Sequence, residues 1–300
     1  MMQVALDRRS EGMGAVSIPP PLKPNYLAIQ RQYGDVRPPE RLIAHYELER
    51  RLSDRLRSAS RRERPLVYTE IYSELFDRLP DHPQKTRRGA ESIRVADRMR
   101  LLRPLLKPGA VYLEIGCGSA ALPCALAGIA ERVLGLDVTD ALIDFAAAPS
   151  NFQFVRTSGV EISLRDGAVD LAHSDQLMEH LHVEDAEPQL REIYRVLKPG
   201  GQYLCTTPSR VTGPHDISVY FDEVPTGFHM REYDYGSLRA LLLEAGFSRV
   251  RFPLVVRGLR LATPPYPVLR GIERALAAMP SLKRARISGI LMGITALATK

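Results

Sequence analysis

Residues 112–127 read "YLEIGCGSAALPCALA" and hold two glycines, Gly116 and Gly118, one residue apart. An apolar run precedes them and a small-residue, helix-like run follows. Glycine lets the backbone bend sharply at such a junction and lets a ligand come close to it. With Ala121 the spacing satisfies G-x-G-x-x-G/A, and Asp137 lies 21 residues beyond Gly116, near the place of a ribose-binding acid. A nicotinamide dinucleotide therefore fits the spacing. Glu114 speaks for a different ligand. It stands two residues before Gly116, where its carboxylate would face a pyrophosphate, and two negative groups in a partly dry site repel. S-adenosylmethionine has no phosphate, and its sulfonium and ammonium both gain from a nearby carboxylate. Taken alone, "ExGxG" also suits a tight turn that holds nothing.

A second set of residues could move protons. Histidine titrates near neutrality and can take a proton from a hydroxyl or a carbon acid. His180 lies in "MEHLH", shortly after Ser174 and Asp175. His215 and His229 lie in residues 209–233, "SRVTGPHDISVYFDEVPTGFHMREY", together with Asp216, Glu232 and Tyr233. That stretch is long for a structureless connection, and such loops are usually functional. His180 is the preferred base, because a short helix after a strand end would hold it rigidly. The two loop histidines could instead bind or orient a substrate. Glu179 and His182 flank His180, and His182 reads as solvent-facing. No metal centre is expected: His215, Asp216 and His229 match no ligand spacing, and Cys117, Cys124 and Cys205 form no C-x-x-C. The three thiols read as buried and reduced. Arg87 and Arg88, in "DHPQKTRR", could reach an anionic group or simply end a solvated turn. Tyr68 and Tyr72, one helical turn apart, could cover a pocket or merely pack.

These residues need elements to hold them. Residues 1–37, rich in Pro and Gly, read as a loose arm. Residues 38–107 carry three helical patterns, the first placing Leu42, Tyr46, Leu48, Leu52 and Leu56 near one face. They predict a helical layer or lid. From "AVYLEIG" onward, apolar strands alternate with helical runs: "RVLGLDV", "TDALIDFAAA", "FQFVRT", "AVDLAHS", "AEPQLREIYRVLK" and "GQYLCTTP". This alternation predicts a parallel sheet with helices on both faces. After the long loop come a helix, "YGSLRALLLEAGF", and a strand, "SRVRFPLVV". About residues 254–286 a helical insertion with a proline-rich approach precedes a final strand, "SGILMGITALATK".

Net charge is +6, unevenly spread. Lys and Arg outnumber Asp and Glu by 22 to 14 over residues 1–110 and by 10 to 1 over residues 249–300, but residues 111–248 carry 9 against 20. The basic flanks suit solvated surface, an anionic acceptor or an anionic membrane face. Nucleic acid is not expected, since Trp is absent and no basic tract is interleaved with aromatics. The most apolar stretch, "ISGILMGITALA", is shorter than the roughly 18 residues of a membrane span. No signal peptide is read at the N-terminus, so a cytoplasmic location is expected.

In their order along the chain, "YLEIGCGSAALPCALA", "VLGLDVT", "AVDLAHSDQLMEHL" and "LREIYRVLKPGGQYLCTTPS" resemble the successive motifs of class I S-adenosylmethionine-dependent methyltransferases. Within them the chain is most similar to the small-molecule branch with a type-11 domain, over roughly residues 90–250. The resemblance implies a Rossmann-like, seven-stranded, mostly parallel sheet over residues 108–300. It implies that Glu114, Gly116 and Gly118 shape the methionine pocket and that Asp137 binds the ribose hydroxyls. Val138 would pack on adenine, and Ser174 and Asp175 would border the sulfonium and methionine tail. Ala120 stands where the family often has a third glycine. Ser158 stands where it often has an Asp for the adenine amino group. The expected activity is methyl transfer from S-adenosylmethionine to a small-molecule acceptor, an anionic one included. The alternatives are a lipid or membrane-bound acceptor, a nicotinamide-dependent oxidoreductase, and a cofactor-binding protein without turnover.

Overall fold

A computed structural model describes residues 21–86, 88–278 and 293–300; the side chains at 84, 86 and 88–90 are not among those described. Strand β1 (Val111–Ile115) is buried over its last four residues, as its apolar run requires. It is flanked by β2 (Arg132–Asp137) and β4 (Val169–Asp175), both parallel to it. Strands β3 (Phe152–Arg156) and β5 (Leu197–Pro208) extend the sheet outward, also in parallel. Two later strands close one edge: β6 (Arg249–Arg251), and β9 (Gly293–Thr299), which runs antiparallel between β5 and β6. The sheet has seven strands in the order β3-β2-β1-β4-β5-β9-β6. The Rossmann-like, mostly parallel sheet expected from the sequence is therefore the observed one.

Eight-residue helix α1 (Tyr26–Tyr33) comes first, then α2 (Pro39–Ser58), α3 (Arg64–Arg78), the single turn α4 (Pro83–Thr86) and α5 (Arg88–Leu102). After the glycine turn comes α6 (Ala121–Leu126), and later α7 (Ala186–Val196) and α8 (Tyr235–Glu244). One core layer joins Leu101, Leu102, Leu122 and Leu126 to one sheet face; the other joins Leu190, Ile193, Leu238 and Leu242 to the opposite face. Helices α2 and α3 build a third core, in which Leu52, Leu56, Ile71 and Leu75 meet Phe228 and Met230 of the long loop. The apolar face predicted for α2 is buried as drawn.

Four expectations change. The loose arm over residues 1–37 is partly helical: within its described part, α1 forms, and Leu22, Tyr26 and Ile29 pack against Tyr46, Tyr220 and Phe221. "TDALIDFAAA" is a run of turns. Thr139 Oγ1 accepts from Ala141 N, and Asp144 Oδ1 accepts from Ala146 N and Ala147 N. Such side-chain bonds offer the backbone an alternative to helix. "SRVRFPLVV" is broken at Pro253, which has no N–H to give a ladder. Beyond it β7 (Leu254–Val256) leaves the sheet and pairs with β8 (Leu259–Ala262) across Arg257 and Gly258, both at positive φ. That is the backbone a two-residue hairpin turn demands. The helical insertion read over residues 254–286 thus begins with this hairpin and continues as α9 (Tyr266–Ala278), its remainder lying outside the described residues.

Candidate active site

Strands β1 and β4 run side by side, with Glu114 beside His173 and Ile115 beside Ser174. Side chains alternate between faces along a strand. Glu114, His173 and Asp175 therefore share one face, and Ile115 and Ser174 the other. Glu114 is 5% exposed; its Oε1 lies 3.4 Å from His173 Nδ1, and its buried Oε2 has no hydrogen-bond partner. Burial raises the Glu114 pKa above its ordinary value, against the opposing pull of His173. Beside it, Asp175 accepts from Arg98 Nε at 2.8 Å and Arg98 Nη2 at 2.6 Å. Burial pushes the Asp175 carboxyl up, but the Arg98 charge and hydrogen bonds outweigh it and hold the pKa below the usual carboxylate range. Arg94, one turn earlier on α5, lines the same recess with Glu91, Ser119 and Cys117.

The glycine turn separates this recess from a second cleft, and Gly116, Gly118 and Leu142 line both. Gly118 has φ +52, and nothing lies within 4 Å of where a Cβ would stand, so the open backbone faces free space. Asp137 clamps the turn: Oδ2 accepts from Gly118 N at 2.9 Å, and Oδ1 from Val138 N at 2.7 Å. Burial raises its pKa against these backbone donors. The space the cleft encloses, with the part open to solvent included, is about 830 Å³. Asp137, Val138 and Thr157 line one part of it, Tyr72, Phe76 and His180 another. An unpaired buried carboxylate with two guanidiniums suits the ammonium and carboxylate of an amino-acid group. The carboxylate of Asp137 beside apolar Val138 and Leu142 suits a nucleoside.

The methyltransferase-domain family model matches residues 113–205. Over these residues the chain carries a methyltransferase domain. Among similar proteins, a "probable S-adenosylmethionine-dependent methyltransferase" of Mycolicibacterium smegmatis is 36% identical over 141 residues, 47% of this chain and 52% of that protein. One from Mycobacterium tuberculosis is 31% identical over 150 residues, 50% of this chain and 53% of that protein. The chain thus spans about half the length of these curated relatives. A solved 1,6-didemethyltoxoflavin-N1-methyltransferase of Burkholderia thailandensis superposes with a TM-score of 0.53 at 17% identity, over 81% of this chain and 91% of that one. That likeness is one of fold.

The fold brings Glu114, Gly116, Gly118, Asp137, Val138 and Asp175 to the two recesses. Two expected residues stand elsewhere. Ser174 points to the opposite sheet face, where its hydroxyl lies 2.6 Å from the Tyr203 hydroxyl in the core. Ser158 lines a separate recess with Arg61 and Arg64, while its neighbours Thr157 and Gly159 line the cleft. Ala120 takes φ +57 with its methyl fully buried, so the turn accepts a side chain where the family often has glycine. Arg87 lies outside the described residues, and so does the Arg88 side chain. Arg94 and Arg98 provide the guanidiniums instead. Their i, i+4 spacing was legible, but an arginine-rich helix offers several such pairs.

Of the histidines, His180 lines the cleft and the others do not. Its Nδ1 donates to the Phe228 carbonyl at 3.1 Å. Burial, with the charge of nearby His229, pushes His180 down to about 3. It is a neutral imidazole at working pH and poorly matched to proton abstraction, whose best pKa lies near that pH. His229 donates from Nδ1 to Glu232 Oε1 at 2.8 Å. Burial lowers its pKa, but the Glu232 hydrogen bond and the charges of Asp216 and Glu179 outweigh that and raise it to about 9. His215 serves the loop itself, with Nδ1 3.3 Å from the Tyr33 hydroxyl and Nε2 3.0 Å from Thr212 Oγ1. His182, expected at the surface, is buried, and its N–H donates to the Tyr68 hydroxyl at 2.8 Å. Glu179, weighed only as a flanking residue, is fully buried, and burial lifts it to about 7 against the pull of His229.

Proposed function

We propose that this chain transfers the methyl group of S-adenosylmethionine to a small-molecule acceptor seated beside His180. The observation that carries the reading is Glu114: a buried carboxylate oxygen without a partner, beside an open glycine turn and two arginines. An unpaired buried charge is costly, and a bound ammonium relieves it. When bound, the cofactor supplies a methyl group on a sulfonium, which leaves by in-line displacement. Glu114 would accept from the ammonium, and Arg94 and Arg98 would hold the carboxylate. Asp137 would take the ribose hydroxyls through acceptor capacity left beside its backbone bonds, with Val138 and Leu142 against the adenine. Tyr68, Tyr72 and Phe76 of α3 wall the cleft and would exclude water. Much of the catalysis then comes from alignment. His180 acts on the acceptor by position, since a neutral imidazole of such low basicity takes no proton from a hydroxyl. Calorimetry tests the reading. S-adenosylhomocysteine should bind with one site and NADH should give no heat. Binding of NADH without S-adenosylhomocysteine would overturn it.

A membrane-bound acceptor has its own supporting observation. Leu259 and Leu261 on β8 are 54% and 60% exposed, beside Arg257 and Arg260, and Val268 and Ile272 on α9 are exposed near Arg274. Apolar side chains beside cations suit an anionic lipid face. No described helix is long and apolar enough to cross a membrane. Co-sedimentation with anionic vesicles should show binding at low salt that is lost as salt screens the charges. No binding at low salt removes this second reading.

A further inference from the structure

Behind His180, away from the recess that suits the amino-acid group, the structure gathers a second polar cluster. Glu179, His180 and His229 each offer a ligand atom within 4.8 Å of the other two. His180 and Glu179 end the short 3-10 turn Met178–His180 after β4, and His229 comes from the long loop after β5. Tertiary packing therefore makes the cluster. Each member keeps one potential ligand atom outside its hydrogen bonds. His180 Nδ1 is taken by the Phe228 carbonyl and His229 Nδ1 by the Glu232 carboxylate, so Nε2 is the ring atom left to each; His180 is neutral there, and on His229, held protonated by its acidic neighbours, a cation would displace the Nε2 proton. Glu179 Oε2 accepts from Thr207 Oγ1 at 2.9 Å, while Oε1 is fully buried and has no partner. Carbonyl and carboxylate partners on the far nitrogen are what orient metal-ligating histidines. The carboxylates of Asp216 and Glu232 both lie near His229.

We propose that Glu179, His180 and His229 bind a divalent transition-metal cation. Two imidazoles and one carboxylate suit zinc or a neighbouring first-row ion. Ligands at about 2.0–2.2 Å from one ion require the three side chains to draw together by on the order of 1 Å. Three protein ligands leave an open position. His180 also lines the cleft, so the group that position would take is an oxygen of the acceptor, made more acidic by the cation. This last step rests on the acceptor position proposed above; the cation site itself does not. A second cluster, His45, Glu49 and His82, is a poorer candidate. There Arg37 Nη1 donates to His45 Nδ1 at 2.7 Å and His45 Nε2 faces Glu49 at 2.7 Å, so both ring nitrogens are engaged beside a permanent cation.

The test uses the full chain, stripped with a chelator and titrated with Co²⁺ as a spectroscopic probe and with Zn²⁺ by calorimetry. Wild type should bind one equivalent, with visible bands of a low-symmetry Co²⁺ site. Glu179→Gln and His229→Ala should each lose affinity by about 100-fold or more, since even an outer-shell partner is worth up to that. His45→Ala should bind like wild type. No binding by wild type, full affinity in both cluster variants, or a loss confined to His45→Ala would overturn the site. X-ray absorption of Zn²⁺-loaded wild type needs no variant. It should report two imidazole nitrogens, and a shell without imidazole would overturn the assignment. S-adenosylhomocysteine titrated into the same metal-free samples reports on the cofactor reading alone, so either conclusion can fail without the other.

Discussion

Glu114 costs the free protein stability, and in the proposed function a bound ammonium would relieve that cost. Its pKa is raised in the folded state, so the unfolded chain gives up this proton first. Stability therefore falls as pH rises from the ordinary carboxylate range through the raised value, and the penalty stays in place above it. Glu114→Gln keeps the shape and has no proton to lose. The free variant should melt at a higher temperature than the parent at neutral pH, and the difference should vanish below the ordinary carboxylate pKa. The same change should weaken S-adenosylhomocysteine binding by about 1.5–3 kcal/mol, the value of a hydrogen bond to a charged group. Melting curves against pH, beside calorimetry, read both effects. A variant that gains no stability and loses no affinity would make Glu114 an ordinary strand residue.

Among the elements, α3 is the one whose attachment shapes the cleft. Arg64 is 2% exposed, and its Nη2 donates to Asp185 Oδ1 at 2.9 Å. Tyr68 donates to Asp185 Oδ2 at 3.0 Å and accepts from His182 N. Removing one partner of a buried ion pair leaves the other charge uncompensated, at about 3–5 kcal/mol. Arg64→Ala should lose that much in urea denaturation. Arg55→Ala, which breaks an exposed pair with Glu70 between α2 and α3, should lose only about 0–1 kcal/mol. The other side of this junction is Gly159, at φ +101, where a Cβ would stand 2.7 Å from Tyr68 Cδ2. Gly159→Ala meets backbone strain and a clash together, the first alone costing about 1–3 kcal/mol. It should also weaken S-adenosylhomocysteine binding, because Tyr68 and Gly159 both line the cleft. A variant with wild-type stability and affinity would show that α3 sits loosely there.

At the scale of the whole molecule, the N-terminal helices and the loop after β5 form one layer over the carboxyl ends of the strands. Leu22, Tyr26 and Ile29 cover Ile217, Tyr220 and Phe221, and the Tyr220 hydroxyl lies 3.3 Å from Asp35 Oδ2. Removing residues 1–37 should therefore bare part of a core. The melting temperature should fall by on the order of 5 °C or more, since each kcal/mol shifts a domain of this size by about 2–4 °C. A truncated chain that melts like the full one would return the segment to the loose arm read from its composition.

What the sequence by itself determined was local. A strand, a glycine turn, a helix and a second strand ending in Asp are set by neighbours within a few residues, so Glu114, Gly116, Gly118 and Asp137 were legible before any fold was known. The parallel sheet followed from the same alternation. Other local signals competed and were misjudged: Asp144 and Thr139 turned a helical pattern into turns, and Arg257–Gly258 made a hairpin where one strand was read. Only the tertiary structure decided the rest. Strand alternation sent Ser174 to the core and Asp175 to Arg98, a partner 77 residues away. Packing of the long loop brought His229 against Glu179 and His180 and turned His215 aside to Tyr33. Those choices depend on which faces meet across the fold. The spacing of residues along the chain does not encode that, because the free energy that settles it comes from burial between distant elements.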